Sequence, residues 1–191
     1  MKKKFTLAIL AVCALFYSAT AQIQQGNLLV GADIADLSLG LNEGGTFAFR
    51  LNPKAAFFVR SGLAIGAYLN FGLLTEEGQG TDIDYGIGAL GRYYFHDPNT
   101  EVILSHRFFA EATIGIEGNN PSSGENTNGL GLSVGPGWTY FVTPNIGLEA
   151  LLKYRGIIGF GSRATSSNLN LEIGFQIYLS KERAKRSTNP N

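Results

Sequence analysis

The run Asn168-Leu169-Asn170-Leu171-Glu172-Ile173-Gly174-Phe175-Gln176-Ile177-Tyr178-Leu179 alternates between two chemistries without interruption. Leu169, Leu171, Ile173, Phe175, Ile177 and Leu179 share one parity, and Asn168, Asn170, Glu172, Gly174, Gln176 and Tyr178 share the other. Successive side chains of a strand point to opposite faces, so a period of two predicts a β-strand with one apolar and one polar face. The run is long for a globular strand. It suits a strand that crosses a bilayer at a tilt, which takes about 9–11 residues.

The same split recurs upstream. In residues 146–156, Ile146, Leu148, Ala150, Leu152 and Tyr154 oppose Gly147, Glu149, Leu151, Lys153 and Arg155, with Leu151 the apolar intruder. In 129–141, Leu130, Leu132, Val134, Pro136, Trp138 and Tyr140 oppose Gly129, Gly131, Ser133, Gly135, Gly137, Thr139 and Phe141. Pro136 cannot donate to a ladder and is expected at a bulge. In 107–117, Phe108, Ala110, Ala112, Ile114 and Ile116 oppose Phe109, Glu111, Thr113, Gly115 and Glu117. Residues 83–95, 63–74 and 46–58 follow suit, and in 27–42 the parity slips near Ala35-Asp36, which predicts a bulge. Eight strands result, with tight turns at Arg60-Ser61-Gly62 and Thr143-Pro144-Asn145 and opposite-end loops at 42–45, 75–82, 118–128 and 157–167. The fold class is all-β: an eight-stranded antiparallel up-and-down transmembrane β-barrel spanning 22–179.

The N-terminus reads as an address. Lys2-Lys3-Lys4, an apolar run over 5–16, and Ser18-Ala19-Thr20-Ala21 have the order of a cleaved secretory signal peptide over 1–21. Val12 is too bulky for the usual residue before a lipidated Cys13. The single Cys then leaves with the signal, which excludes disulfides, thiolate catalysis and cysteine metal sites. Removing three lysines leaves 12 basic against 15 acidic residues, a poor balance for nucleic-acid binding.

Charges decide which face meets which solvent. The polar faces hold the acids Asp33, Asp36, Asp84, Glu111, Glu117, Glu149 and Glu172 and the bases Arg50, Lys54, Arg92, Lys153 and Arg155. Inside a narrow barrel these pair across strands, whereas each Arg or Lys facing lipid at the midplane costs about 2–4 kcal/mol. A soluble, lipocalin-like inversion would put Leu, Ile and Phe inside and leave a Gly-, Asn- and Ser-rich surface that gains nothing in water. Aromatic clusters at 57–58, 93–95, 108–109, 140–141 and Tyr178 lie at the turn-side strand ends, where amphipathic rings favour the membrane interface. The expected network is therefore interior, and the apolar set faces lipid.

Over about residues 25–179 the chain resembles the small outer-membrane β-barrel domains related in architecture to OmpA, OmpX and OmpW. The stretches that carry the likeness are Asn52-Pro53-Lys54 leading to Phe57-Phe58-Val59, Arg92-Tyr93-Tyr94-Phe95, and Gly135-Pro136-Gly137 through Tyr140-Phe141-Val142-Thr143-Pro144-Asn145. The resemblance implies an integral protein of the Gram-negative outer membrane with both termini periplasmic. It implies contact with lipid and lipopolysaccharide, and insertion by the barrel-assembly machinery. Members commonly end on an aromatic residue, whereas here Tyr178-Leu179 is followed by a tail.

Some such barrels act on lipid A, and an acyl hydrolase needs a nucleophile beside a base. The two histidines, His96 and His106, fall in a predicted periplasmic connection away from any strand serine. No enzymatic activity, cofactor or metal is expected. Glu76, Glu77 and Asp82 read as solubilising loop acids rather than a metal-ligand set. A structural or protein-interaction role is expected, including that of accessory subunit in a larger outer-membrane assembly or partner of other outer-membrane or periplasmic proteins. A narrow, porin-like channel is the alternative, though eight strands leave an interior that side chains fill. The tail, 180–191, is expected to be a basic, solvated periplasmic segment, with Lys181, Arg183, Lys185 and Arg186 the candidate periplasmic contacts.

Overall fold

A computed structural model of the chain describes residues 23–39, 46–76, 78, 80–95, 106–122, 126–160 and 166–180, with backbone alone at 36–39, 46, 127 and 166. Eight strands form a closed barrel in sequence order: β1 (Leu28–Leu39), β2 (Thr46–Arg60), β3 (Leu63–Glu76), β4 (Gly80–Tyr94), β5 (His106–Asn120), β6 (Thr127–Thr143), β7 (Ile146–Gly159) and β8 (Ser166–Leu179). Every neighbouring pair is antiparallel, and β1 closes on β8 through seven paired residues from Leu28↔Leu179 to Ile34↔Ile173. Closure removes the free edges that would otherwise leave backbone groups unpaired in hydrocarbon.

The strands are longer than the alternation alone delimits. β3 and β4 stay paired to Glu76↔Gly80, so most of the expected 75–82 loop is strand. β5 runs to Asn120 and β6 resumes at Thr127. Turn residues rich in Gly, Asn and Ser pair well enough through their backbones once both flanking strands hold register. At the other rim, Ser61 and Gly62 form the β2–β3 turn, Gly62 with the positive φ of 79° that glycine tolerates, and Pro144-Asn145 form the β6–β7 turn.

The β1 slip is a register shift between Ala35 and Ser38. Pro136 departs from expectation. It sits in register opposite Ala110, and the β6–β7 register is the same on both sides of it. The ladder lacks pairs at Gly135 and Pro136 without gaining a residue, so the missing N–H is accommodated by a gap instead of a bulge.

Polar parities point inward. In β6, Gly129, Gly131, Ser133, Gly135, Gly137, Thr139 and Phe141 are buried while Leu132, Val134, Trp138 and Tyr140 are exposed. Leu171 and Ile173 are 63% and 56% exposed, flanking an inward Glu172 at 2%. Such inversion in water would be untenable; it is the arrangement of a protein whose outer solvent is apolar.

Candidate functional site

The inward residues stack in layers between the two rims. Nearest the tight turns, Phe58, Tyr94, Phe109, Phe141 and Tyr178 form an aromatic floor with Leu29, ring centroids 5.1–6.4 Å apart. The segment before β1 passes beneath it. Gly26 N donates to Phe58 O at 2.7 Å, Gly62 N donates to Ile23 O at 2.8 Å, and the Ile23 side chain packs on the floor. The sequence reading assigned the aromatic clusters wholly to the membrane interface, and the structure divides them. Phe57 is 61% exposed and Phe58 1%, and the Phe108/Phe109 and Tyr93/Tyr94 pairs split alike, because adjacent residues of a strand face opposite ways. That parity was the available signal.

Above the floor lies a connected set of four carboxylates and three cations. Lys54 Nζ bonds Glu111 Oε1 and Oε2 at 2.9 and 3.0 Å and also pairs with Asp33. Arg92 reaches Glu111 Oε2 through Nη2 at 2.6 Å and Glu149 Oε2 through Nη1 at 2.7 Å. Lys153 Nζ joins Glu111 Oε1 and Glu172 Oε2, each at 3.0 Å. These seven residues come from β1, β2, β4, β5, β7 and β8, so the set ties opposite walls. The Arg92 guanidinium also lies 4.1 Å from the Phe109 ring centroid, joining this layer to the floor.

Neutral groups complete the layer. Thr139 and Tyr178 each donate a hydroxyl to Glu149 Oε1 at 2.8 Å, Tyr94 and Tyr178 hydroxyls are 2.7 Å apart, and Gln176 Nε2 donates to Asp33 Oδ1 at 2.8 Å. Higher up, Arg155 pairs with Glu117 at 2.7 Å, and Tyr68 donates to the other oxygen of Glu117 at 2.8 Å. Nearest the loops, Arg50 pairs with Asp84 at 2.6 Å, and Asn119 donates to Asp84 at 2.7 Å.

Of the twelve residues expected in the interior network, eleven thus have described ion pairs. Asp36 lies in β1 with its side chain outside the described residues. Tyr68, Tyr94, Thr139, Gln176 and Tyr178 are partners that a search restricted to charges passes over. The inward glycines make room for the long chains: Glu117 lies over Gly131, the Phe109 ring over Gly137, and Tyr68 over Gly88 and Gly115.

Other expected residues lie elsewhere. His106 is not a turn residue: it opens β5, its ring 6.3 Å from Trp138 and 6.5 Å from Phe108, two exposed rings of the outer face. Asp82 accepts a hydrogen bond from Ser122 N at 2.6 Å, and among the described residues no cluster of potential ligands could hold a metal. Residues 1–22, Glu77, His96 and the tail bases Lys181, Arg183, Lys185 and Arg186 lie outside the described residues. The network is built to hold, since each of its described carboxylates has a cation.

No protein-family model matches the chain, and no curated protein matches it. Solved structures do. The crystal structure of Neisserial surface protein A superposes with a TM-score of 0.61 at 21% identity, covering 80% of this chain and 99% of that one. The outer membrane protein OprG from Pseudomonas aeruginosa superposes with a TM-score of 0.52 at 10% identity, covering 82% and 97%. The chain therefore has the fold of the small eight-stranded outer-membrane barrels.

Proposed function

We propose that this chain is an integral outer-membrane protein whose closed, cross-linked barrel has a structural or protein-interaction role, that of an accessory subunit in a larger assembly included. The observation that carries the reading is the pairing of an apolar outer wall with an interior filled by connected charges above an aromatic floor. A wall of exposed Leu, Ile and Phe fits hydrocarbon, and strands of 12–17 residues exceed the length a tilted crossing requires. A filled interior whose described carboxylates are each held by a cation favours neither a pore nor an acyl hydrolase.

In this reading residues 1–21 direct export, the barrel-assembly machinery inserts the mature chain, and lipid and lipopolysaccharide surround it. The rim with the two tight turns and both strand termini, Leu28 and Leu179, faces the periplasm, and there the basic tail meets anionic headgroups or a partner.

Two experiments test the role. Purification of the native protein in mild detergent is expected to retain stoichiometric companions, and planar-bilayer recording of the folded chain is expected to show no sustained conductance. A lone protein that conducts steadily would replace this reading with narrow-channel transport.

A further inference from the structure

The outer wall is not uniform in bulk. On β8 it presents Leu169, Leu171, Ile173 and Phe175, all exposed, without a gap. Across β3 to β6 one row reads Ile65, Gly91, Ala112 and Val134, each paired with the next. Ile65 and Val134 are 51% and 56% exposed, and a Cβ at Gly91 would meet nothing within 4 Å, so the two small residues floor a shallow recess between two bulky ones. Toward the tight-turn rim Ala110 continues the recess, and there Phe108, Trp138 and Tyr140 close it with exposed rings. Trp and Tyr rings settle at the level of lipid headgroups, which places the recess at the depth where acyl chains begin.

The same rim carries a cation that the interior network does not use. Arg107, the second residue of β5 and half-buried, donates from Nη1 to His106 O at 3.1 Å and pairs with no carboxylate among the described residues. Arg50, Lys54, Arg92, Lys153 and Arg155 each have one. The contact holds the Arg107 guanidinium beside the backbone of His106, whose own ring lies 6.3 Å from Trp138 in the outer aromatic row. A guanidinium has five donors in a fork that matches phosphate oxygens, and most of them remain here for a ligand. A headgroup of net negative charge gains from that cation, while the ammonium of a zwitterionic one meets a like charge.

We propose that this sector of the wall is a binding site for one anionic glycerophospholipid of the phosphatidylglycerol class, its phosphodiester on Arg107 and its acyl chains in the recess over Gly91, Ala110 and Ala112. The inference rests on the membrane reading above and adds which lipid meets which residues. Charge complementarity selects the headgroup, and the bulk profile of the row selects the chains.

Trp138 is the chain's one tryptophan and borders the site, so its fluorescence reports occupancy. The full chain, refolded in phosphatidylcholine vesicles, is given equal minor fractions of phosphatidylglycerol or phosphatidylcholine brominated in the acyl chain near the headgroup. Brominated phosphatidylglycerol is expected to quench Trp138 as if enriched about fivefold over its bulk fraction, the effect of one basic residue, and brominated phosphatidylcholine only in proportion to its fraction. Arg107→Gln and Ala112→Leu are each expected to bring the two lipids level, and glycerophosphate in the buffer to leave the excess unchanged. Equal quenching in the native sequence overturns the site, as does an excess that survives Arg107→Gln or that glycerophosphate relieves. Should a variant lack the heat-dependent gel shift of a folded barrel, the native comparison and its glycerophosphate arm decide. Quenching by neither lipid would contradict the membrane reading itself, and the site with it.

Discussion

Arg92 and Glu149 are both nearly inaccessible and pair with each other at 2.7 Å. Substituting Arg92→Met leaves Glu111 short of one partner and Glu149 without its cation. Removing one member of a buried ion pair costs about 3–5 kcal/mol, because the remaining charge is uncompensated. Urea unfolding of the refolded barrel in lipid vesicles is expected to register a loss of that order, and a loss below about 1 kcal/mol would mean that the layer is solvated. Glycines make a second contrast. A Cβ at Gly135 meets the Leu152 carbonyl oxygen and Lys153 Cα, both backbone, whereas one at Gly91 meets nothing within 4 Å. Gly135→Ala is expected to cost about 1–3 kcal/mol as overpacking, and Gly91→Ala to stay within about 0.5 kcal/mol in the same assay. The charged members of the interior were legible as residues, since parity marks them. Their pairings were not: Lys54 meets Glu111 from β2 to β5, and Arg92 meets Glu149 from β4 to β7, contacts across the barrel that depend on the stagger of all the strands between.

At the level of the strand, alternation carries nearly all the information. From Asn168 to Leu179 β8 alternates without exception and its inward set is the polar one, whereas β1 changes parity at its Ala35/Ser38 register shift. What alternation does not carry is where pairing stops. Turn-rich composition at 75–82 and 118–128 argues for loops, but backbone hydrogen bonds continue as long as the partner strand does, and β6 reaches 17 residues that way. Proline is likewise ambiguous, because a missing donor is met either by an extra residue or by an open rung, and Pro136 takes the second course. The polarity of the two faces makes a prediction that belongs here. Ile114, outward and mid-strand on β5, is 51% exposed. Ile114→Arg is expected to cost about 2–4 kcal/mol of folding free energy in lipid vesicles, the midplane value for a charge on the lipid face. An unchanged stability would place that face in water.

The whole molecule reverses the usual distribution of chemistry, with charge at the centre and hydrocarbon on the surface, and each half of that reversal requires the other. Closure supplies backbone partners, the apolar wall has no place in water, and the narrow interior is occupied by eleven charged side chains and an aromatic floor. The floor was hidden from sequence reading because a ring pointing inward and a ring at the membrane interface are the same letter; only the neighbour's parity separates them. The Ile23–Asn27 approach beneath that floor was equally hidden, since Phe58 and Gly62 meet it through backbone bonds that no side chain announces. The central claim is that this closed barrel resides in a membrane. Its most direct test is gel mobility of the mature protein extracted from the outer-membrane fraction, boiled and unboiled. A barrel that resists detergent until heated is expected to run faster unboiled and to appear only in that fraction; a freely soluble protein whose mobility is the same before and after boiling would contradict the account.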